Sequence, residues 1–418
     1  MLLEQLVGKK VGIWGTGVEG QASMEFIRKN LPALPLVIIE DNVVPPGLDV
    51  IVKTPGVSPY LPQAMKAKQD GVLFTSNLDL FFSHLQTQEK RPKIIFITGS
   101  KGKSSTATMM NHMLAGLGFN TRLCGNIGKP PLEFLGQDLD FMVFEISSYQ
   151  AQGISFAAEY AAVLNISPTH LDWHLTFENY VRDKLSIIRP DSIAVLNGQD
   201  KLLRDFPHSA KKTIFVCGDD GIHARDGQFY DNGKHIPTPR LQIIGGHNMM
   251  NFCACVAILK DLGLDYEKAV MLMDGCAPLP HRLQTVHQSN GLAFVDDSIA
   301  TSPQSAMAAV KTFPDADIAV LVGGYDNKSC DYAELSRFLQ ETENVRAIIG
   351  LPDTGSTIES SKLTMAANMA DAVQKAIDAL PGRKGLVLLS PAAQSFNMYK
   401  NYIQRGDDFA ATARRLAP

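Results

Sequence analysis

The stretch Ile94-Ile95-Phe96-Ile97-Thr98-Gly99-Ser100-Lys101-Gly102-Lys103-Ser104-Ser105 decides how the rest of the chain is read. Ile94 to Ile97 is a short apolar run that reads as a buried strand. Gly99 to Lys103 is a glycine-flanked turn, and Ser105 to Leu117 follows a helical pattern opened by small hydroxyl residues. Strand, glycine turn and helix start, in that order, form a phosphate cradle. The glycines let backbone N–H groups approach an anion, the helix N-terminus adds its positive end, and a lysine neutralises the terminal phosphates. ATP is therefore expected on Gly99, Ser100, Lys101, Gly102, Lys103, Ser104 and Ser105, with the Ser104 hydroxyl available to Mg2+. Only three positions separate the first glycine from the second, against five in the generic P-loop, so the match to that pattern is partial.

Outward from this stretch, short apolar runs recur at Val11-Trp14, Leu36-Ile39, Phe141-Phe144, Ala161-Leu164, Ile193-Leu196, Ala319-Val322, Ala347-Ile349 and Leu386-Leu389. Helical patterns lie between them. Strands alternating with helices predict an α/β protein with mostly parallel sheets. The polar segment Gln86-Pro92 and the proline-rich Ala277-His281 read as boundaries, giving expected domains 1-87, 88-280 and 281-418. Residues Cys217-Leu241, rich in Gly, Asp, Asn and Pro, read as inserted hairpins.

Composition narrows the function classes. The 418 residues are 45% hydrophobic and 20% charged, as in ordinary globular domains. With 39 basic and 43 acidic residues, the net charge of -4 supplies no field that would hold a nucleic-acid backbone or an anionic membrane. The six cysteines are scattered, with neither zinc spacing nor a disulfide framework, and fit a reduced, cytoplasmic protein. No apolar run approaches the ~20 residues of a membrane span, and Met1 to Trp14 lacks the length of a signal sequence. Neither membrane insertion nor a nucleic-acid partner is expected, and the chain is expected to be monomeric.

Further along, Glu145 sits at the C-terminal end of Phe141-Phe144, the edge where open α/β sheets bind ligands and where a carboxylate can complete Mg2+ coordination. Asn165-Ile-Ser-Pro-Thr-His170-Leu-Asp172 ends another strand in a polar turn, and His170 can offer a metal a ring nitrogen or simply cap a helix. Lys184 lies in an amphipathic helical pattern, Phe177-Ile188, where a lysine ordinarily faces solvent. In the first domain, Gly15-Thr16-Gly17-Val18-Glu19-Gly20 follows a strand as a G-x-G-x-x-G loop, which alone suits a dinucleotide as well as any other phosphate.

Taken together, Thr98 to Ser105, Gly125-Asn-Ile-Gly128, Glu145-Ile-Ser-Ser-Tyr-Gln150, Asn165 to Asp172, Gly246-His-Asn-Met-Met-Asn251, Pro280-His-Arg282, Asp297-Ser298, Gly323-Gly324 and Leu389 to Ser395 occur in the order seen in the Mur ligase family. The resemblance spans essentially the whole chain and is closest to the MurD type, which joins glutamate to UDP-N-acetylmuramoyl-L-alanine in cytoplasmic peptidoglycan synthesis. It implies three domains: a Rossmann-like UDP-sugar domain, a central P-loop-type ATPase domain and a Rossmann-like C-terminal domain for the amino acid. It further implies an ADP-forming ligase, with catalytic roles for Lys103, Glu145, His170 and Lys184. Two Mg2+ ions would be held by Ser104, Glu145, His170 and Lys184, the last carrying a carbamate.

By the same resemblance, Asn248, Asn251, Arg282 and Asp297 contact ATP. Thr16, Gly17, Val18, Glu19, Glu40, Asp41, Gly56, Asn126 and Gln150 contact the UDP-sugar, and Thr301, Lys328, Ser395 and Phe396 surround the amino acid. Asn248 and Asn251 also read as N-caps of a helix at Asn251-Leu262. D-glutamate is favoured, yet Ile299 stands where the family commonly has lysine. That removes a charge-assisted contact of roughly 1.5 to 3 kcal/mol and keeps L-glutamate open. Other Mur or folylpolyglutamate-type ligases, an NAD-dependent oxidoreductase and a nucleotide-binding protein without turnover are the competing readings.

Overall fold

The computed structural model describes residues 1–218, 220–239, 246–274, 280–325 and 331–418, with the side chains of 246–248 outside that description. Two compact units emerge. The first holds the described residues between Met1 and Leu241 and between Gly246 and Gly275, and the second those between Cys276 and Pro418.

The first unit contains two parallel sheets. β1 (Val11–Trp14), β2 (Leu36–Ile39), β3 (Val50–Lys53) and β4 (Leu73–Thr75) are ordered β2-β1-β3-β4. β5 (Lys93–Thr98), β6 (Thr121–Gly125), β7 (Phe141–Glu145), β8 (Tyr160–Val163), β9 (Ile193–Asn197) and β10 (Lys212–Val216) are ordered β10-β9-β8-β5-β7-β6. The expected hairpins form a small antiparallel sheet of β11 (Ile222–Arg225), β12 (Gln228–Asp231) and β13 (Lys234–Ile236).

One apolar core runs through both parallel sheets. Leu78, Phe81 and Phe82 of the helix Asn77–Leu85 are buried in the same cluster as Phe96 of β5 and Phe144 of β7. Phe82 stacks on Phe156 at a centroid distance of 4.4 Å and 7° between planes. This helix begins where Ser76 accepts the Asp79 N–H at 3.1 Å, satisfying one of the free amides of its first turn.

The second unit is a six-stranded sheet of β14 (Gln284–Ser289), β15 (Leu292–Asp296), β16 (Ile318–Val322), β17 (Val345–Gly350), β18 (Leu363–Met365) and β19 (Gly385–Leu389), ordered β14-β15-β19-β16-β17-β18. Only β14 is antiparallel.

All nine strands read from apolar runs are present. Those without such a run, including β4, β6 and β10, escape pattern reading because they are short or carry polar residues, such as Arg122 in β6. Three helices differ from expectation. The one after the phosphate turn is Lys103–Gly116, the one carrying Lys184 stops at Leu185, and the third runs Gly246–Asp261. That last start places both Asn248 and Asn251 inside the helix, which corrects the reading of either as an N-cap.

Candidate active site

Parallel register brings the candidate segments of each sheet to one edge. In the first sheet, Trp14 is level with Ile39 and Lys53, so the loops that begin at Gly15, Glu40 and Thr54 leave side by side. Gly17 precedes the helix Val18–Asn30, and Thr16, Gly17 and Val18 are exposed there beside Glu40, Asp41 and Gly56. A side chain at Gly15 would meet Thr54 Oγ1 at 2.1 Å, which explains a glycine at the closest approach of the two loops. Glu19 is mostly buried; burial raises its carboxyl to about 7, against the opposing effects of the Gln150 hydrogen bond and Lys53. Gln150 Nε2 donates to Glu19 Oε1 at 2.6 Å, and both residues line a cavity of about 470 Å³.

In the second sheet Ile97 is level with Glu145, and Thr98 with Val163, so the phosphate turn, the Glu145–Gln150 turn and the Asn165–His170 turn share an edge. Asn165 clamps the phosphate loop by accepting Lys101 N–H at 2.9 Å and donating to Lys101 O at 3.0 Å. Ser100 Oγ lies 2.6 Å from Tyr180 OH. Gly102 has φ +84, and a Cβ there would sit 2.5 Å from Asn251 Nδ2. The helix Gly246–Asp261 therefore lies directly over the loop, and only glycine fits.

Lys103 Nζ donates to Gly99 O at 3.1 Å and Ser100 O at 3.2 Å. Lys184 is buried rather than solvent-facing, and its Nζ donates to the same Gly99 O at 3.0 Å. The ordinary helix-surface reading of Lys184 is thereby corrected. Burial, and then the neighbouring Lys103 charge, push the Lys184 ammonium well below its usual range, with Glu145 opposing.

Glu145 is buried. Its Oε1 accepts from Asn126 Nδ2 at 2.9 Å, while its Oε2 is buried without a hydrogen-bond partner. A buried acceptor of that kind calls for a ligand, and Ser104, in the first turn of the helix packed on the Glu145 strand, offers a second oxygen of the type a hard cation such as Mg2+ prefers. Among the described residues no group of three or more His, Cys, Asp and Glu forms a metal cage. His170 is exposed, with its ring centroid 5.0 Å from that of Tyr149, and its φ of +56 turns the chain into the helix Leu171–His174. Asn126 and Gln150, expected at the sugar, use their side-chain donors on Glu145 and Glu19 in this structure.

In the second unit, Asp296 is level with Leu389 and Leu321 with the same residue, so the loops starting at Asp297, Ser390 and Gly323 share an edge. Asp297 is buried and accepts from Ser390 Oγ at 2.8 Å. Burial raises its carboxyl to about 7, with Ser390 and Arg282 opposing. Arg282 Nε is buried without a partner. Thr301 is half-buried, Ser395 buried, and Phe396 60% exposed, which leaves an apolar ring available at this edge. Lys328 and the side chain of Asn248 lie outside the described residues.

Sequence reading missed Arg405. Fully buried, it donates to Ser298 Oγ, Ser298 O, Ala393 O and Gln394 O at 3.0, 2.8, 3.0 and 3.0 Å, tying the Asp297–Thr301 loop to the loop before Ser395. Its place in the amphipathic helix Tyr402–Leu416 gave no signal.

Comparison with known proteins now bears on this geometry. Residues 97–259 match the model of the Mur ligase middle domain. The UDP-N-acetylmuramoyl-L-alanine--L-glutamate ligase of Xanthomonas oryzae pv. oryzae is 34% identical, over 99% of this chain and 97% of that protein. The enzyme of the same name from Salinispora tropica is 32% identical over the full length of both. Among solved structures, MurF ligase from Thermotoga maritima in complex with ADP is 17% identical with a TM-score of 0.64, covering 98% of this chain and 97% of that one. FolC of E. coli, in complex with DHPP and ADP, is 16% identical with a TM-score of 0.61, covering 81% and 93%. At such identities the last two speak to the fold alone.

Proposed function

The chain belongs to the Mur ligase family of ATP-dependent amide ligases, and from that premise we propose that it joins L-glutamate to UDP-N-acetylmuramoyl-L-alanine in peptidoglycan precursor synthesis. The observation that carries the chemistry is the meeting of Lys103 and Lys184 on one carbonyl, Gly99 O, beside the unpartnered Glu145 Oε2. Gly99 O thus gathers two nitrogen donors at the turn, where Lys103 supplies the cation that a phosphate oxygen would meet.

An amide does not form from a carboxylate at neutral pH without activation. In this reading the alanyl carboxylate attacks the γ-phosphorus of ATP, ADP leaves, and the glutamate amine attacks the acyl phosphate and expels phosphate. Lys103 and the Gly99–Ser105 amides hold the phosphates in line, so positioning and charge neutralisation carry the rate. Mg2+, when bound, would supply further neutralisation of phosphate oxygens; Ser104 and Glu145 would hold one ion, and His170 and Lys184 would support a second. Burial lowers the Lys184 ammonium and so favours the free amine, the form that reacts with CO2, which supports the carbamate reading. Asn251 and Asn248 would meet adenine, Arg282 and Asp297 would contact ATP, and Thr301, Lys328, Ser395 and Phe396 would surround the amino acid. The boundaries near residues 87 and 280 would then separate UDP-sugar, ATP and amino-acid work.

The amino acid is the alternative that Ile299 opened: the curated relatives are named for L-glutamate, and Ile299 offers no cation. Phosphate release measured with UDP-N-acetylmuramoyl-L-alanine and Mg-ATP should require L-glutamate and be slow with the D enantiomer. Lys103→Ala should lower it by about 100- to 1000-fold. Equal rates with and without glutamate would remove the ligase reading, and preference for D-glutamate would reverse the assignment of the amino acid.

A further inference from the structure

Ser148, His174 and Asp183 form a buried chain beside Lys184, with Asp183 on the same helix. His174 Nε2 lies 2.9 Å from Ser148 Oγ, and His174 Nδ1 lies 2.8 Å from Asp183 Oδ2. Tyr60 OH donates to the same carboxylate at 2.9 and 2.7 Å, and Arg182 Nη2 donates to Tyr60 OH at 2.8 Å. The order of serine, histidine and carboxylate is that of hydrolytic enzymes. Here His174 is 0% and Ser148 3% exposed, so no substrate reaches the hydroxyl. The arrangement holds parts together.

Which parts it holds follows from the chain. Ser148 opens the helix Ser148–Ala151, three residues after Glu145. Asp183 is the residue before Lys184 on the helix Phe177–Leu185. The backbone beside His174 fastens a third segment: Trp173 O accepts from Ser58 Oγ at 2.7 Å and Trp173 Nε1 donates to Pro55 O at 3.1 Å, both on the loop that follows β3. Rings of Trp173, Tyr180 and Tyr149 pack around the imidazole at centroid distances of 4.4, 5.3 and 5.6 Å. The histidine is thus fixed on every side, and each of its nitrogens fixes one active-site element.

We propose that His174 is a positioning residue for phosphoryl transfer: it sets the Lys184 helix against the turn that carries Glu145, so that both groups meet the phosphate loop in register. The inference rests on the reading of Lys184 and Glu145 as working groups. A displacement of about 1 Å in such a site can cost on the order of 100-fold in rate.

The test compares wild type, His174→Ala, His174→Gln and Lys184→Ala in glutamate-dependent phosphate release, with ADP-binding stoichiometry and thermal melting measured on each. His174→Ala should bind one ADP per chain and keep its KM for ATP within about threefold while kcat falls by about 10- to 100-fold. His174→Gln, whose amide can reach Ser148 Oγ, should recover part of kcat. A kcat that falls only in proportion to lost ADP-binding chains means His174 merely stabilises the fold and overturns the proposal. So does full kcat in His174→Ala while Lys184→Ala is inactive. Should Lys184→Ala retain full activity, the failure lies in the reading of Lys184 and takes the inference down with it, a result separate from a failure of His174 alone.

Discussion

Glu19 shows what a single buried ionisable group does to the molecule. Its carboxyl is raised to about 7 by burial, so between the ordinary carboxylate range, about 4.3, and 7 the folded chain keeps a proton that the unfolded chain releases. Stability therefore falls as pH rises through that window, and the cost is fully present above 7. Glu19→Gln removes the titration while leaving an oxygen for Gln150 Nε2. Its melting temperature should gain on wild type between pH 5 and pH 8, and parallel curves would count against the assignment. The lone oxygen on Glu145 and the two lysines at Gly99 O are also facts of single residues. The strand, turn and helix start that carry Lys103 and Ser104 were legible because that segment is local in sequence. The burial of Lys184 was not, because an amphipathic pattern does not say which residue at its margin turns inward.

Elements were legible where one physical preference dominated. Short apolar runs announced nine of the nineteen described strands, and glycine-rich polar sequence announced the hairpins. The start of the helix Gly246–Asp261 was misplaced because its first turn is Gly-His-Asn-Met-Met, without an apolar stripe. What joins elements was not legible at all. The Asn165 clamp spans 64 residues, and Arg405 reaches Ser298 across 107, and no local pattern encodes such a pairing. One consequence at this scale concerns Gly102, where positive φ and the Asn251 amide both exclude a side chain. Gly102→Ala should lose about 1 to 3 kcal/mol of stability and weaken ATP binding by at least about tenfold, read by chemical denaturation and by ADP titration. An alanine variant with unchanged ADP affinity would mean that loop and helix are not locked together.

At the scale of the whole molecule, the fold class was legible from the alternation of strands and helices, while the grouping into compact units was not, since it depends on side chains packed between sheets. The two units predict separable defects. Arg405→Met strips hydrogen bonds from Ser298, Ala393 and Gln394, each lost partner costing about 1 to 3 kcal/mol. Ligation should fall by at least about 100-fold, whereas UDP affinity, proposed above for the first unit, should stay within about twofold by calorimetry. A matching loss of UDP binding would show that the units do not behave independently. The uninterrupted core that joins the first two sheets has one more implication. If the two edges hold UDP and ATP as proposed, their anchoring in a common interior makes them a fixed gauge, whose span is set at folding and not by the arrival of ligands. A donor sugar with a longer or shorter arm would be refused by distance alone, before any amino acid is present to be chosen.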